Sequence, residues 1–155
     1  MLKERSAGVV IFRRNGEEKY LLLHYEAGHW DFVKGNVERG EGELGCVVRE
    51  TEEETGIKDL RFFQDFREEI RYFYKRGGNL VDKKVVFYLA ETLTPKIKLS
   101  YEHIGFEWLR FEDAYKRLTF KNAKEVLRSA RDFLLKNGKS YQSSFLNYKN
   151  SSNDL

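Results

Sequence analysis

The 155-residue chain has one cysteine, three histidines and no long apolar run. With Cys46 alone, no internal disulfide can form, and a reducing compartment such as the cytoplasm is expected. Cys46 itself reads as a small helix residue without chemistry. No stretch approaches the roughly 18 consecutive apolar residues of a membrane-spanning helix, so no membrane partner is expected. The amino end, MLKERSAGVVIF, lacks the apolar core and cleavage site of a signal peptide. Internal repeats and a second-domain linker are absent too. Nothing in the chain suggests a serine or cysteine triad, and His24 and His29 read as structural or loop residues. What is present suits one globular domain: 41% hydrophobic and 15% aromatic side chains, enough to bury roughly two thirds of the unfolded surface.

Charge is unevenly placed. Gly35 to Ile57, GNVERGEGELGCVVRETEEETGI, carries seven glutamates against two arginines and no lysine, a sum of −5 in a chain of net +3, which leaves +8 for the remainder. Crowded carboxylates raise one another's pKa unless a cation is present, while a basic surround attracts a polyanion. A divalent metal working on phosphates satisfies both conditions. A solvated acidic helix face is the plainer alternative.

Hydropathy patterns place this stretch within a mixed chain. Val9 to Arg13 and Lys19 to Tyr25 flank Asn15-Gly16 and predict a β-hairpin. Further strands are expected at Leu60 to Phe66, Glu69 to Lys75 and Val85 to Glu91, with a loop over Arg76 to Asp82 and short strands at Ile97 to Leu99 and Phe106 to Phe111. Phe120, Ala123, Leu127, Ala130 and Leu134 follow helical spacing, and Asn137-Gly138 would end that helix; a shorter one is expected over Glu112 to Leu118. Residues 1–138 therefore read as the domain and 139–155 as a weakly patterned tail, with Tyr141, Phe145 and Tyr148 as its candidate contacts.

Within the acidic stretch, Glu43 to Thr55 reads as a helix that packs through Leu44, Val47, Val48, Thr51 and Thr55. Glu50, Glu53 and Glu54 stand at i, i+3 and i+4 and share an arc of about 100° beside that stripe. Such like-charge pairs cost a helix a few tenths of a kcal/mol each, a cost that coordination of a hard, oxygen-seeking cation would reverse. Arg49 can brace one carboxylate through its planar fork. Gly35, Gly40, Gly42 and Gly45 allow a tight approach to the helix and bring a carbonyl near the cation.

Gly35, Glu41, Arg49-Glu50, Glu53-Glu54 and Gly56-Ile57 reproduce the spacing of the Nudix box, and by it the chain resembles the Nudix hydrolases. The resemblance implies an α/β fold, an α/β/α sandwich with a mixed β-sheet between helices, and hydrolysis of a nucleoside diphosphate linked to another group. Outside the box, SAGVVIFRR, HWDFVKG, FREEIRY, VVFYLAE, LSYEHIGFEWL and TFKNAKEVL resemble the animal and archaeal type of asymmetrical diadenosine tetraphosphate hydrolase. One departure stands before Lys34, where that group commonly has prolines and this chain has Phe32-Val33, leaving the loop without their rigidity.

The resemblance implies that Glu50, Glu53, Glu54 and the Gly35 carbonyl bind magnesium, with manganese as the alternative. Glu102 is implied as a further metal ligand or alternative base, and any of the glutamates as the group activating water. Lys34 and Lys83 are candidate phosphate contacts, Tyr72 and Phe120 a candidate purine stack, and His103 a residue near the chemistry. For Tyr72 and Phe120 a core role competes. The partner expected is a small nucleotide. Two other readings stay open: a Nudix enzyme acting on RNA 5′-triphosphate or cap ends, and a nucleotide- or RNA-binding module without turnover.

Overall fold

The computed structural model describes residues 1–137 and the backbone of 145–146; Tyr141, Tyr148 and most of the expected tail lie outside the described residues. β1 (Leu2–Asn15) is the spine of a mixed sheet. It pairs in parallel with β7 (Asn79–Glu91) and antiparallel with β2 (Glu17–Tyr25) and β4 (Val33–Asn36). β2 carries β3 (Trp30–Asp31) and β8 (His103–Leu109), while β7 carries β5 (Arg61–Phe63) and β6 (Glu68–Arg76). A short β9 (Phe145–Leu146) pairs with β5 through its backbone.

Alternation along β1 divides the core. Ala7, Val9 and Ile11 point to one face, where they meet Cys46 and Val47 of α1 (Glu43–Thr55); Val10 and Phe12 point to the other, where Ala123, Val126, Leu127, Ala130 and Leu134 of α3 (Lys121–Asn137) cover them. The short α2 (Phe111–Arg117) lies on that second face through Ala114. Each fully buried Leu or Phe contributes about 1.5 to 3 kcal/mol by leaving water, so the two clusters hold helices to both sides of the sheet. This is the expected α/β/α sandwich. No helix among the described residues is long and apolar enough to cross a membrane.

The structure corrects several boundaries. The loop expected over Arg76 to Asp82 is a two-residue turn, Gly77-Gly78, both at positive φ, and β7 begins at Asn79 opposite Arg76. Ile97 to Leu99 is no strand: this extended segment instead donates Lys98 N–H to Thr55 O, 2.9 Å, at the end of α1. Phe111 starts α2 rather than ending β8. Phe120 precedes α3 and is exposed, so it takes no part in the helix's buried face.

Candidate active site

β4 and α1 build the site. Pairing with β1 sets Lys34 opposite Gly8 and Gly35 opposite Ala7, and the Phe32 and Val33 side chains are buried in the two core clusters. The segment entering Lys34 thus gains from sheet pairing the rigidity that prolines would otherwise give. α1 crosses close by. A Cβ on Gly35 would lie 2.1 Å from Glu50 Cδ, so only glycine lets that carboxylate reach the strand.

Arg49 organises the carboxylates from beneath. Its guanidinium donates to Glu41 through Nε (2.7 Å) and Nη2 (3.0 Å), to Glu50 through Nη1 (2.8 Å) and to the Asn36 carbonyl (3.1 Å). Glu53 lies 3.4 Å from Nη1. Charge-assisted bonds of this kind are worth about 1.5 to 3 kcal/mol each, and those from Arg49 hold the Glu41 carboxyl below the ordinary range. Arg49 therefore braces the carboxylates of Glu41, Glu50 and Glu53 against one another. At Glu50 burial outweighs Arg49 and raises the carboxyl.

Glu54 differs from its neighbours. Sequence periodicity sets it beside the packing stripe, whereas the structure buries it to 3% exposure, and burial pushes its carboxyl up to about 7 against the opposing effect of His103. His103 Nε2 stands 3.2 Å from Glu54 Oε1, at an angle too oblique for a well-aligned hydrogen bond, and Ser100 Oγ lies 3.0 Å from the ring's Nδ1. Glu54 Oε2 is buried with no protein partner. The His103 side chain is fully buried against Glu54.

Two cavities meet at Lys34. One, of about 510 Å³, is bounded by Lys34, Gly35, Glu50, Glu53, Glu54 and Glu102; Asn36, Ser100 and Tyr101 complete it. The other, of about 370 Å³, is bounded by Lys34, Asp31, Ile70, Tyr72, Phe87 and Phe120. Tyr72 lies half-buried on β6, packed on the core and also lining this second cavity, while Phe120 is 46% exposed there. Lys34 Nζ is held 3.0 Å from the buried Asp31. Lys83, opposite Tyr72 on β7, lines neither cavity: it lies 3.4 Å from Glu4 and donates to Asn36 at 3.2 Å. Its ammonium meets the lining of the carboxylate cavity at Asn36. His24 and His29 stack on Trp30 and Tyr25 at 4.4 and 4.5 Å.

The donor set suits a hard cation. A buried carboxylate oxygen without a partner, beside a second carboxyl raised by burial, is costly unless a cation balances it. Glu50, Glu53, Glu54 and Glu102 surround one space, although among the described residues no three acidic, histidine or cysteine side chains already form a closed cage. Glu41, Asn36, Ser100 and Tyr101 were not singled out from sequence as site residues. Glu41 alone carried a signal, its fixed spacing from Arg49.

A helix crossing a strand that opens onto a carboxylate cavity accords with the family comparison: residues 2–130 match the NUDIX domain, and the chain belongs to the Nudix family of hydrolases. Nudix hydrolases act with a divalent cation. The chain is 36% identical over 143 residues to the asymmetrical bis(5′-nucleosyl)-tetraphosphatase of Mus musculus, covering 84% of this chain and 95% of the mouse one. The Sus scrofa enzyme of the same name is likewise 36% identical, with the same coverage. Among solved structures, a C. elegans Ap4A hydrolase in a binary complex superposes with a TM-score of 0.77 at 34% identity, covering 86% of this chain and 98% of that one.

Proposed function

We propose that this hydrolase cleaves dinucleoside polyphosphates asymmetrically, splitting diadenosine tetraphosphate into ATP and AMP. The observation that carries the reading is the junction at Lys34 between an aromatic cavity and a carboxylate cavity. One adenine stacks between Tyr72 and Phe120, a contact worth about 1 to 3 kcal/mol. Lys34, held by Asp31, offers compact positive charge to the phosphates leaving that cavity. The chain then runs past Gly35 into the carboxylates.

Glu50, Glu53, Glu54 and the Gly35 carbonyl would hold magnesium, with Glu102 at the rim as a further ligand. The cation supplies charge neutralisation at the phosphate oxygens. The protein's own groups do the rest. Arg49 keeps Glu50 and Glu53 from swinging apart, and a carboxylate of this set accepts the proton of the attacking water. Water oxygen bonds to the phosphorus of the far adenosine's phosphate, the bond from that phosphorus to the bridging oxygen breaks, and the bridging oxygen leaves with ATP. The buried lone Cys46 accords with a cytoplasmic setting.

The test is product analysis. Diadenosine tetraphosphate in water enriched in heavy oxygen is expected to give equimolar ATP and AMP, with the label in AMP at single turnover. Two molecules of ADP, or release of products only from 5′-capped or 5′-triphosphorylated RNA offered in parallel, would overturn the assignment.

A further inference from the structure

The carboxylate cavity has one aromatic side chain on its lining, Tyr101, and that ring is 90% exposed. A bare ring of this size is informative because large aromatics in a folded domain ordinarily bury most of their surface. The backbone that carries it is fixed. Ser100 N–H donates to Glu54 O (3.4 Å), His103 N–H to Ser100 O (3.2 Å), Glu102 N–H to Ser100 Oγ (3.4 Å) and Glu26 N–H to Glu102 O (3.1 Å). The turn is therefore tied to the end of α1 and to the loop after β2, while the tyrosine ring projects from it with no ring contact among the described residues. A ring held on an ordered turn loses little entropy when a flat ligand settles on it.

Its place along the substrate path is equally specific. Tyr72 and Phe120 line the aromatic cavity and Tyr101 does not; Tyr101 and Glu102 line the carboxylate cavity, and Lys34 is common to both. We propose that Tyr101 is the stacking platform for the second base, the one attached to the phosphate that leaves as the nucleoside monophosphate. The enzyme then recognises a dinucleotide by two aromatic sites with the carboxylates between them, and a substrate lacking the second nucleoside forgoes the outer one. Because stacking reads a π-face rather than a hydrogen-bond pattern, the outer site accepts any base.

This inference rests on the proposed dinucleotide substrate, and its test separates the two. Binding is measured for two methylene-bridged, uncleavable ligands, the diadenosine tetraphosphate analogue and the adenosine tetraphosphate analogue that lacks the second nucleoside. In Tyr101→Ala the preference for the dinucleotide over the mononucleotide is expected to fall about tenfold, the mononucleotide affinity staying unchanged, and Tyr101→Phe to restore it. Equal weakening of both ligands, or an unaltered ratio, overturns the role of Tyr101. Failure of wild-type protein to release ATP and AMP overturns instead the substrate assignment, and the binding ratio still decides whether the ring meets a second base.

Discussion

A methyl group at position 35 would fall on Glu50, and the atoms it would strike are the far end of a flexible side chain. Gly35→Ala is therefore expected to leave the protein folded: Glu50 rotates away and gives up its bond to Arg49, at a stability cost of about 1 to 3 kcal/mol. Turnover should nevertheless fall more than tenfold, because a displacement of about 1 Å at a reacting group is enough for that. Thermal melting and steady-state kinetics on the same sample check both halves, and normal turnover would remove Glu50 from the machinery. The contrast shows what spacing in a sequence encodes. The interval from Gly35 to Glu41 to Arg49-Glu50 marks the carboxylate helix because Glu41 meets Arg49 and Gly35 meets Glu50. Burial of Glu54 could not be read in that way, since it depends on His103 and Ser100, which arrive from 46 to 49 positions further along a different segment.

At the scale of one element, α1 begins without a side-chain cap, at Gly42, and its first turn is secured by Glu43 instead. That carboxylate accepts hydrogen bonds from Arg67 (3.1 and 3.2 Å), from Tyr88 (2.5 Å) and from Arg5, which ties the helix to β1, β7 and the entry to β6. Burial alone would raise the carboxyl, but these donors outweigh it and hold it at about 2. A depressed folded value means that the stabilisation is complete above the unfolded value near 4.5 and is lost as pH falls toward 2. Arg5 and Arg67 are 59% and 48% exposed, so after solvent screening the effect is on the order of 1 to 2 kcal/mol. Urea unfolding at pH 5.5 and pH 2.5 is expected to show a smaller loss in Glu43→Gln than in wild type by that amount. An identical loss in both would assign the acid sensitivity elsewhere. The strong periodicity of α1 made the element legible, whereas β3 and β4, with two and four residues, are too short to show a period of two. Their positions are set by pairing with β2 and β1, which no local pattern announces.

Across the whole molecule the sheet has two unlike sides. Its α1 side carries the carboxylates, and the Tyr72 cavity opens where β6 approaches the start of α3. The fold class was readable through the resemblance carried by Gly35 to Ile57, and the structure supplies its physical basis, apolar residues on both faces of β1 covered by helices on both sides. The route of the substrate was not, since it depends on how far apart those elements come to rest.

β6 pairs with β7 alone among the described residues, and its outer margin carries Tyr72. Edge strands of this kind open locally at a lower free energy than the strands they lean on, beginning here at the Gly77-Gly78 tip. A purine clamped between Tyr72 and Phe120 would bridge that margin to the start of α3. Nucleotide binding should then slow deuterium uptake across 68–76 several-fold, while the already paired centre of β1 exchanges at its former rate. A uniform slowing over both strands would instead mean that the ligand tightens the entire domain, and uptake unchanged over 68–76 would place the adenine away from this edge. On this account the peripheral position of β6 makes the purine site a loose flap, and the nucleotide that it captures is the latch that shuts it.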